Sequence, residues 1–193
     1  MSPRVVLFTR YPEPGKAKTR LIPAIGAERA AQVHRTLTEW TVQAVLESGL
    51  ALEVRATGAA VEAFADWLGA ISIVDQGPGD LGQRLARAGP PYPTLFIGSD
   101  APDLTADLLR TAAAALDRAD AVVGPAEDGG FWLLGLSRAA DGVFDGVNWG
   151  TAVVCGQTID RLAAAGIDLV LLPQLADCDR PEDLARWPEL LRA

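Results

Sequence analysis

A short basic segment near the start of the chain holds both of its lysines, Lys16 and Lys18. The segment runs from Tyr11 to Arg20 and follows an apolar run that predicts a buried strand. Lysine and arginine side chains bind phosphate oxygens, and Gly15 allows the backbone to come close to a ligand. The segment therefore predicts an anion site, with a solvated basic loop as the alternative.

The same segment is not a Walker A phosphate loop. That motif needs a glycine where Arg10 stands and a serine or threonine where Ala17 follows Lys16. The chain carries a net charge of −8, yet five of its 17 basic residues fall within the first 20 positions. This uneven distribution favours a local site for an anionic ligand rather than general binding of nucleic acid or anionic membranes.

Asp100 follows the predicted strand 94–98 after a single residue, Ser99. Ligands of open α/β sheets bind beyond the carboxyl ends of the strands, so Asp100 is placed for chemistry. Carboxylate oxygens suit a hard divalent ion such as Mg²⁺ or Mn²⁺, which binds substrate phosphates as well. Asp103 lies three residues further along, just before the predicted helix 105–119, and Asp103 and Thr105 are both expected to cap it.

Asp177 and Asp179 stand two residues apart near the end of the chain. In an extended segment both side chains point to one side and Cys178 points to the other. The alternative is local, because Asp179 and Glu182 fit a capping box around Pro181.

Asp128 and Gly129 lie between two predicted strands, which is first of all a hairpin signal. The functional interpretation makes Asp128 a general base that faces an acceptor hydroxyl. Phe131 and Trp132 would then form the apolar floor of that pocket, unless they are simply core residues.

Gly77–Gly82 has the form G-x-G-x-x-G and raises a rival class, the dinucleotide-binding oxidoreductases. Pro78 lies inside the motif, and the following helix can extend only to about Ala88. The motif also follows the third predicted strand rather than the first, so the oxidoreductase hypothesis is the weaker one.

Strands and helices alternate along the chain, which predicts a mostly parallel sheet covered on both faces, with one antiparallel element at the Asp128 hairpin. The predicted strands are 4–9, 50–56, 71–76, 94–98, 121–125, 131–136 and 169–172. The predicted helices are 27–48, 61–68, 105–119, 151–165 and 181–191.

Length and composition predict one α/β domain over residues 1–193. No apolar run is long enough to span a membrane, the first residues do not form a signal peptide, and two cysteines are too few for a disulfide framework. We therefore expect a cytoplasmic protein with no membrane or nucleic-acid partner. The single histidine, His34, is expected to be structural.

Several motifs together resemble a bacterial family of glycosyltransferase-like proteins with the GT-A (nucleotide-diphospho-sugar transferase) fold. The family is similar at greater distance to molybdopterin-cofactor and 2-phospholactate nucleotidyltransferases. The motifs cover nearly the whole chain in order, namely Pro14–Leu21, Gly79–Gly82, Gly98–Leu104, Gly124–Gly130, Trp149 with Thr151, and Asp177–Leu184.

The resemblance implies a single-domain three-layer sandwich and a transferase that uses a nucleoside diphosphate sugar and a small acceptor. It assigns Mg²⁺ or Mn²⁺ to Asp100 and to either Asp179 or Asp177, and base recognition to Gln76 and the Gly82 backbone. Phosphate binding falls to Lys16 and Arg20, with Gly15 and Lys18 in the same loop. A nucleotidyltransferase that releases pyrophosphate and a non-catalytic nucleotide-binding module are the alternatives.

Overall fold

The computed structural model describes residues 2–192 and has one seven-stranded sheet. The strand order is β3-β2-β1-β4-β6-β5-β7, and only β6 runs antiparallel to its neighbours. The mostly parallel sheet with one antiparallel element is therefore confirmed. The strands are β1 (Arg4–Arg10), β2 (Ala51–Thr57), β3 (Ser72–Asp75), β4 (Thr94–Ile97), β5 (Ala121–Pro125), β6 (Phe131–Leu136) and β7 (Leu169–Leu171).

Helices cover both faces of the sheet, which makes the predicted three layers. On one face α2, α3 and α5 pack against the sheet, and on the other face α4 and α6 do so. No helix in residues 2–192 is both long and apolar enough to cross a membrane. The helices are α1 (Ile22–Ile25), α2 (Ala27–Ser48), α3 (Val61–Leu68), α4 (Leu81–Ala88), α5 (Ala106–Ala115) and α6 (Val154–Ala164).

The sequence of helix α2 determines both its helical structure and the residues at which it begins and ends. Val33, Leu37 and Ala44 recur at helical spacing and are buried, whereas Trp40 from the same predicted stripe lies at the surface. The helix ends at Gly49, which adopts the left-handed conformation that favours glycine. The predicted bounds of α2 are confirmed.

The predicted closing helix over 181–191 is wrong. The segment forms two 3₁₀ helices, Pro181–Ala185 and Pro188–Leu191. Pro188 lacks a backbone N–H and clashes with the preceding turn, so a continuous helix cannot pass through it. The helix predicted over 151–165 begins only at Val154, and Thr151 does not cap it, because the Thr151 hydroxyl donates to the carbonyl of Asn148.

A third apolar cluster fixes the end of the chain beside the basic loop. Leu21, Val33 and Leu37 pack against Cys178 and Trp187 of the C-terminal segment. Both cysteines are buried and free, as predicted. The cluster buries Cys178 and leaves its neighbours Asp177 and Asp179 only partly covered, so that both acids reach the carboxyl ends of the central strands.

Candidate active site

A cavity of about 600 Å³ lies at the carboxyl ends of β1 and β4, and we call it the main cavity. The basic loop from Lys16 to Arg20 lines this cavity together with Asp100 and Asp179. This is the edge of an α/β sheet where ligands bind, and the volume is typical of a small-molecule site. The structure therefore brings together the predicted basic residues and two of the predicted acids.

Lys18 is the centre of this arrangement. Its Nζ donates to Asp100 Oδ1 at 2.6 Å, to Asp179 Oδ1 at 2.8 Å and to the backbone carbonyl of Cys178 at 2.6 Å. The Lys18 side chain is only 3% exposed. All three hydrogens of the ammonium group thus have an oxygen acceptor from a distant part of the chain.

The contact between Lys18 and Asp100 shifts the pKa of each of these two groups. Burial alone would lower the pKa of Lys18, but the carboxylates of Asp100 and Asp179 outweigh it and raise that pKa above its ordinary value. Burial likewise opposes the charge of Asp100, and the Lys18 ammonium overcomes it and lowers the pKa of Asp100. Both groups are therefore charged across the neutral range.

The other two cations of the loop are more open. Arg20 donates to Asp179 Oδ2 at 3.0 Å with its side chain 60% exposed. Lys16 pairs with Glu13 of its own loop at 3.0 Å, and both side chains face solvent. Gly15 has a φ of +83°, and a Cβ added there would meet no atom within 4 Å outside its chain neighbours, so the turn before Lys16 is open to a ligand. Exposed pairs of this kind are weak, and an anion can replace the carboxylate.

Backbone contacts hold the two acids in place. The Cys178 N–H donates to the carbonyl of Asp100 at 2.8 Å, which ties the C-terminal segment to the end of β4. The predicted capping box of Asp179 and Glu182 is wrong, because Asp183 Oδ2 instead accepts from the N–H groups of Asp179 and Arg180. The Asp179 carboxylate is left free for Lys18 and Arg20.

A smaller recess of about 100 Å³ adjoins the cavity, and four acids line it, namely Asp100, Asp128, Asp177 and Asp179. Burial raises the pKa of Asp177, and the nearby Asp128 carboxylate raises it further. Within residues 2–192 neither Asp128 nor Asp177 makes an ion pair, whereas the adjacent Glu127 pairs with Arg186 at 2.7 Å. The recess therefore contains two acids, Asp128 and Asp177, whose charge no ion pair within the described residues balances.

The hairpin that carries Asp128 is fixed by close packing. Asp128 Oδ1 accepts from the Gly130 N–H at 2.7 Å. Gly129 has a φ of +88°, and a Cβ there would lie 2.1 Å from the carbonyl oxygen of Ala152, so only glycine fits. The Gly129 carbonyl accepts from the N–H of Cys155 at 2.9 Å, which joins the turn to the start of α6.

Phe131 and Trp132 line the recess as predicted, and each also packs in the interior. Phe131 meets Trp149 edge to face at a centroid distance of 6.5 Å. Trp132 is buried and donates from Nε1 to the Pro173 carbonyl at 3.1 Å. Its indole occupies the space where Gly124 has no side chain. The floor of the recess is therefore apolar and rigid.

The two residues assigned to base recognition lie in different places. Gln76 lines the main cavity, but its Nε2 donates to the carbonyls of Thr9 and Arg55, and its Oε1 accepts from Arg84. Gly82 is not part of the main cavity's lining. A Cβ at Gly82 would lie 2.9 Å from Trp149 Nε1, so this glycine allows close packing of α4.

A buried polar cluster beneath the cavity has no predicted role. The Thr9 hydroxyl lies 3.2 Å from Thr38 Oγ1 and 3.3 Å from Ser99 Oγ, and His34 Nε2 lies 2.9 Å from the Arg10 carbonyl. Burial lowers the pKa of His34, so the neutral ring donates to that carbonyl. The one signal in the sequence is that Thr9 and Ser99 stand at the carboxyl ends of two buried strands.

Asp103 does not cap α5, so that prediction is wrong. The Thr105 side chain accepts from the Leu108 N–H and forms the cap. Asp103 Oδ1 instead accepts from Trp187 Nε1 at 3.0 Å and helps to anchor the C-terminal segment.

A family of proteins conserved in bacteria, DUF2064, whose description is "Uncharacterized protein", matches residues 36–151. The chain belongs to this family. No curated protein matches its sequence. The predicted resemblance is confirmed by a crystal structure from Desulfovibrio desulfuricans G20, provisionally named a nucleotide-diphospho-sugar transferase. That protein is 30% identical, with a TM-score of 0.87, over 100% of this chain and 98% of that one.

More distant structures share the fold. A nucleotidyl transferase from Methanothermobacter thermautotroptrophicus has a TM-score of 0.63 at 16% identity, over 99% of this chain and 98% of that one. The inositol-1-phosphate CTP transferase from T. maritima has a TM-score of 0.64 at 12% identity, over 100% and 96%. The fold is thus that of nucleotide-diphospho-sugar transferase-like proteins.

Proposed function

We propose that this protein is a metal-dependent transferase that moves a sugar from a nucleoside diphosphate sugar to a small acceptor. The observation that carries the proposal is the main cavity, which sets the cations of the 16–20 loop against Asp100 and Asp179. Cations bind a diphosphate, and the acids bind the ion that neutralises it. The 30% identical relative, provisionally named for this class of reaction, supports the same assignment.

The donor's phosphates belong beside Lys16 and Arg20. Both side chains are largely exposed, and their present partners are the carboxylates of Glu13 and Asp179. Phosphate oxygens can take over these contacts with little cost, because exposed ion pairs contribute little stability. Gln76 lies elsewhere in the cavity lining, where we place the base.

The acids fit a divalent ion. The Asp100 and Asp179 carboxylates and the Cys178 carbonyl already converge on one cation, the Lys18 ammonium, and hard ions prefer such oxygen donors. No group of three or more Asp, Glu, His or Cys side chains in residues 2–192 is arranged to hold a metal alone. Substrate phosphates would complete the coordination, with Asp177 as a further acid nearby. When bound, Mg²⁺ or Mn²⁺ would supply charge neutralisation at the leaving diphosphate.

The acceptor belongs in the recess between Asp128 and Asp177. Its apolar floor of Phe131 and Trp132 offers a flat surface to an acceptor ring, and Asp128 is exposed at its rim. As general base, Asp128 would accept the proton of the attacking hydroxyl while the acceptor oxygen bonds to the sugar. The bond from the sugar to the diphosphate breaks, and the leaving group keeps the electron pair.

Nucleotidyl transfer is the second candidate. The nucleotidyl transferase and the CTP transferase described above share this fold. The basic loop could also hold a triphosphate as well as a diphosphate. In that reaction a phosphorylated acceptor attacks the α-phosphate and pyrophosphate leaves.

The test is incubation with Mg²⁺ and a panel of nucleoside diphosphate sugars and nucleoside triphosphates, with products separated by chromatography. We expect a nucleoside diphosphate from one of the nucleotide sugars, by slow hydrolysis when the acceptor is missing. Asp128→Asn should slow transfer about 100-fold or more. Glu127→Gln is the matched control, because Glu127 is the adjacent acid, pairs with Arg186 and lines neither the cavity nor the recess.

Three other results would contradict the proposal. Pyrophosphate release that depends on Asp100, without turnover of any nucleotide sugar, would establish the second candidate. A nucleotide-dependent rise in melting temperature with no product would indicate a binding module. Equal loss of activity in Glu127→Gln and Asp128→Asn would remove the role of Asp128.

A further inference from the structure

The Lys18 ammonium stands where the two acids of the site would hold a metal ion. We infer that Lys18 is an internal cation that competes with a divalent ion for Asp100 and Asp179, so that the ion is bound only when Lys18 leaves. The biological role of this competition rests on the proposed function, since the ion would be the one that the transfer reaction requires. The geometry that carries it is independent of any nucleotide.

The two cations cannot occupy the site together. Lys18 Nζ has three oxygen neighbours at 2.6 to 2.8 Å, one from each of Asp100, Asp179 and Cys178. Mg²⁺ requires the same kind of oxygen at about 2.0–2.1 Å, so the oxygens would have to close around a smaller centre. An ammonium within bonding distance of those oxygens would also repel the ion.

Lys18 has a route out of this position. Its side chain is part of the lining of the main cavity, so it can swing toward the space where we place the phosphates. Its backbone has a φ of 45°, the one positive value among the non-glycine residues of 2–192. Residues other than glycine rarely adopt that backbone conformation. Its energetic cost is offset here by the three contacts of the Lys18 ammonium.

The competition has a consequence for binding order. A phosphate in the cavity offers the Lys18 ammonium a new anionic partner and frees Asp100 and Asp179 for the ion. Metal and nucleotide diphosphate would then each raise the affinity for the other, as linkage requires. Without nucleotide, the chain should bind the metal alone only weakly.

The direct test is a titration of free Mn²⁺, followed by electron paramagnetic resonance, with no nucleotide present. We expect Lys18→Met to bind Mn²⁺ at least tenfold more tightly than the wild type, and Lys18→Met with Asp100→Asn to lose that gain. Lys16→Met is the matched control, because it removes the only other lysine from the same loop. Equal Mn²⁺ affinity of Lys18→Met and the wild type, or an equal gain in Lys16→Met, would overturn the inference.

A second measurement needs no variant and covers the case in which Lys18→Met fails to fold. The chain has two lysines, so an amine-reactive reagent and mass spectrometry report on each separately. In EDTA, Lys18 should react at least tenfold more slowly than Lys16. Mg²⁺ raised to saturation should accelerate Lys18 alone, while NaCl of equal ionic strength should not.

An unchanged rate at Lys18 in Mg²⁺ would overturn the inference. Neither measurement uses nucleotide or turnover, so both remain valid if the proposed transfer reaction is wrong. Conversely, failure of the competition would leave the proposed reaction standing.

Discussion

Two pairs of acids border the same site and differ in what balances their charge. Asp100 and Asp179 share the Lys18 ammonium, and Asp179 also binds Arg20. Asp128 and Asp177 face one another in the recess, and neither forms an ion pair within residues 2–192. We call the first the neutralised pair and the second the unneutralised pair.

This difference in charge balance indicates that the two pairs of acids have different roles. The neutralised pair belongs to a charge network that joins the basic loop to the C-terminal segment, and an anionic ligand can rearrange it. In the unneutralised pair, burial of Asp177 and the nearby Asp128 carboxylate raise the pKa of Asp177, so its charged form is disfavoured. Groups that are unfavourable for stability and lie in a cleft are typical of catalytic and binding sites.

The largest expected effect is on phosphate binding. Lys16→Ala and Arg20→Ala should each weaken binding of a nucleoside diphosphate by about 1.5–3 kcal/mol, the range for a hydrogen bond to a charged group. Isothermal titration calorimetry measures it. Arg186→Ala is the matched control, since Arg186 pairs with Glu127 beside the unneutralised pair and should leave the affinity unchanged. Unchanged affinity for the nucleoside diphosphate in both Lys16→Ala and Arg20→Ala would show that the basic segment is a solvated loop and not a phosphate site.

The neutralised pair should contribute to stability within a defined pH window. Lys18→Met should lower the free energy of unfolding by on the order of 2 kcal/mol, less than for a fully buried pair because the Asp100 side chain is 53% exposed. The pKa of Asp100 is lowered, so its contribution is present above the ordinary 3.8 and is lost as the pH falls below it.

The pKa of Lys18 is raised, so its contribution is present below the ordinary 10.5 and is lost as the pH rises beyond it. Urea unfolding of wild type and Lys18→Met across pH should therefore show a gap between those limits that narrows on either side. A gap independent of pH would mean that packing, not charge, carries the effect.

The smallest expected effect has the opposite sign. Asp177→Asn should raise the free energy of unfolding by about 0.5–1 kcal/mol, because it removes a buried charge that faces Asp128. The raised pKa of Asp177 means that this gain is absent at acid pH and grows as the pH rises through that pKa. Asp179→Asn, two residues away, should lose stability instead. A loss of stability in both variants would show that the two pairs do not differ.

Local signals in the sequence predict most of the fold. Helix α2 is predicted with its bounds because its apolar spacing and Gly49 act within one segment. The 121–136 hairpin is predicted because Asp128 and Gly129 specify a turn by themselves. Pro188, which interrupts the helix predicted over 181–191, is also a local signal. The segment divides into two 3₁₀ helices there because proline cannot continue a helix.

The contacts of the site are less predictable because they join distant segments. Lys18 and Asp179 are separated by 161 residues, and the third oxygen on Lys18 is a backbone carbonyl that has no signature in sequence. Asp179 and Asp177 share one extended segment, and long-range contacts determine where they lie, among them the packing of Cys178 and Trp187 and the bond from the Cys178 N–H to the Asp100 carbonyl. The sequence therefore predicts the acids but not their pairing.

In the proposed reaction the neutralised pair binds the metal ion and the diphosphate of the donor, and the unneutralised pair lines the site of the acceptor. The most direct measurement is a crystal structure with Mn²⁺ and a nucleoside diphosphate, with the metal located by anomalous scattering. We predict a Mn²⁺ peak against Asp100 and the 177–179 segment, the diphosphate on Lys16 and Arg20, and Asp128 free of metal. A peak remote from Asp100 and that segment, or one on Asp128, would contradict the claim.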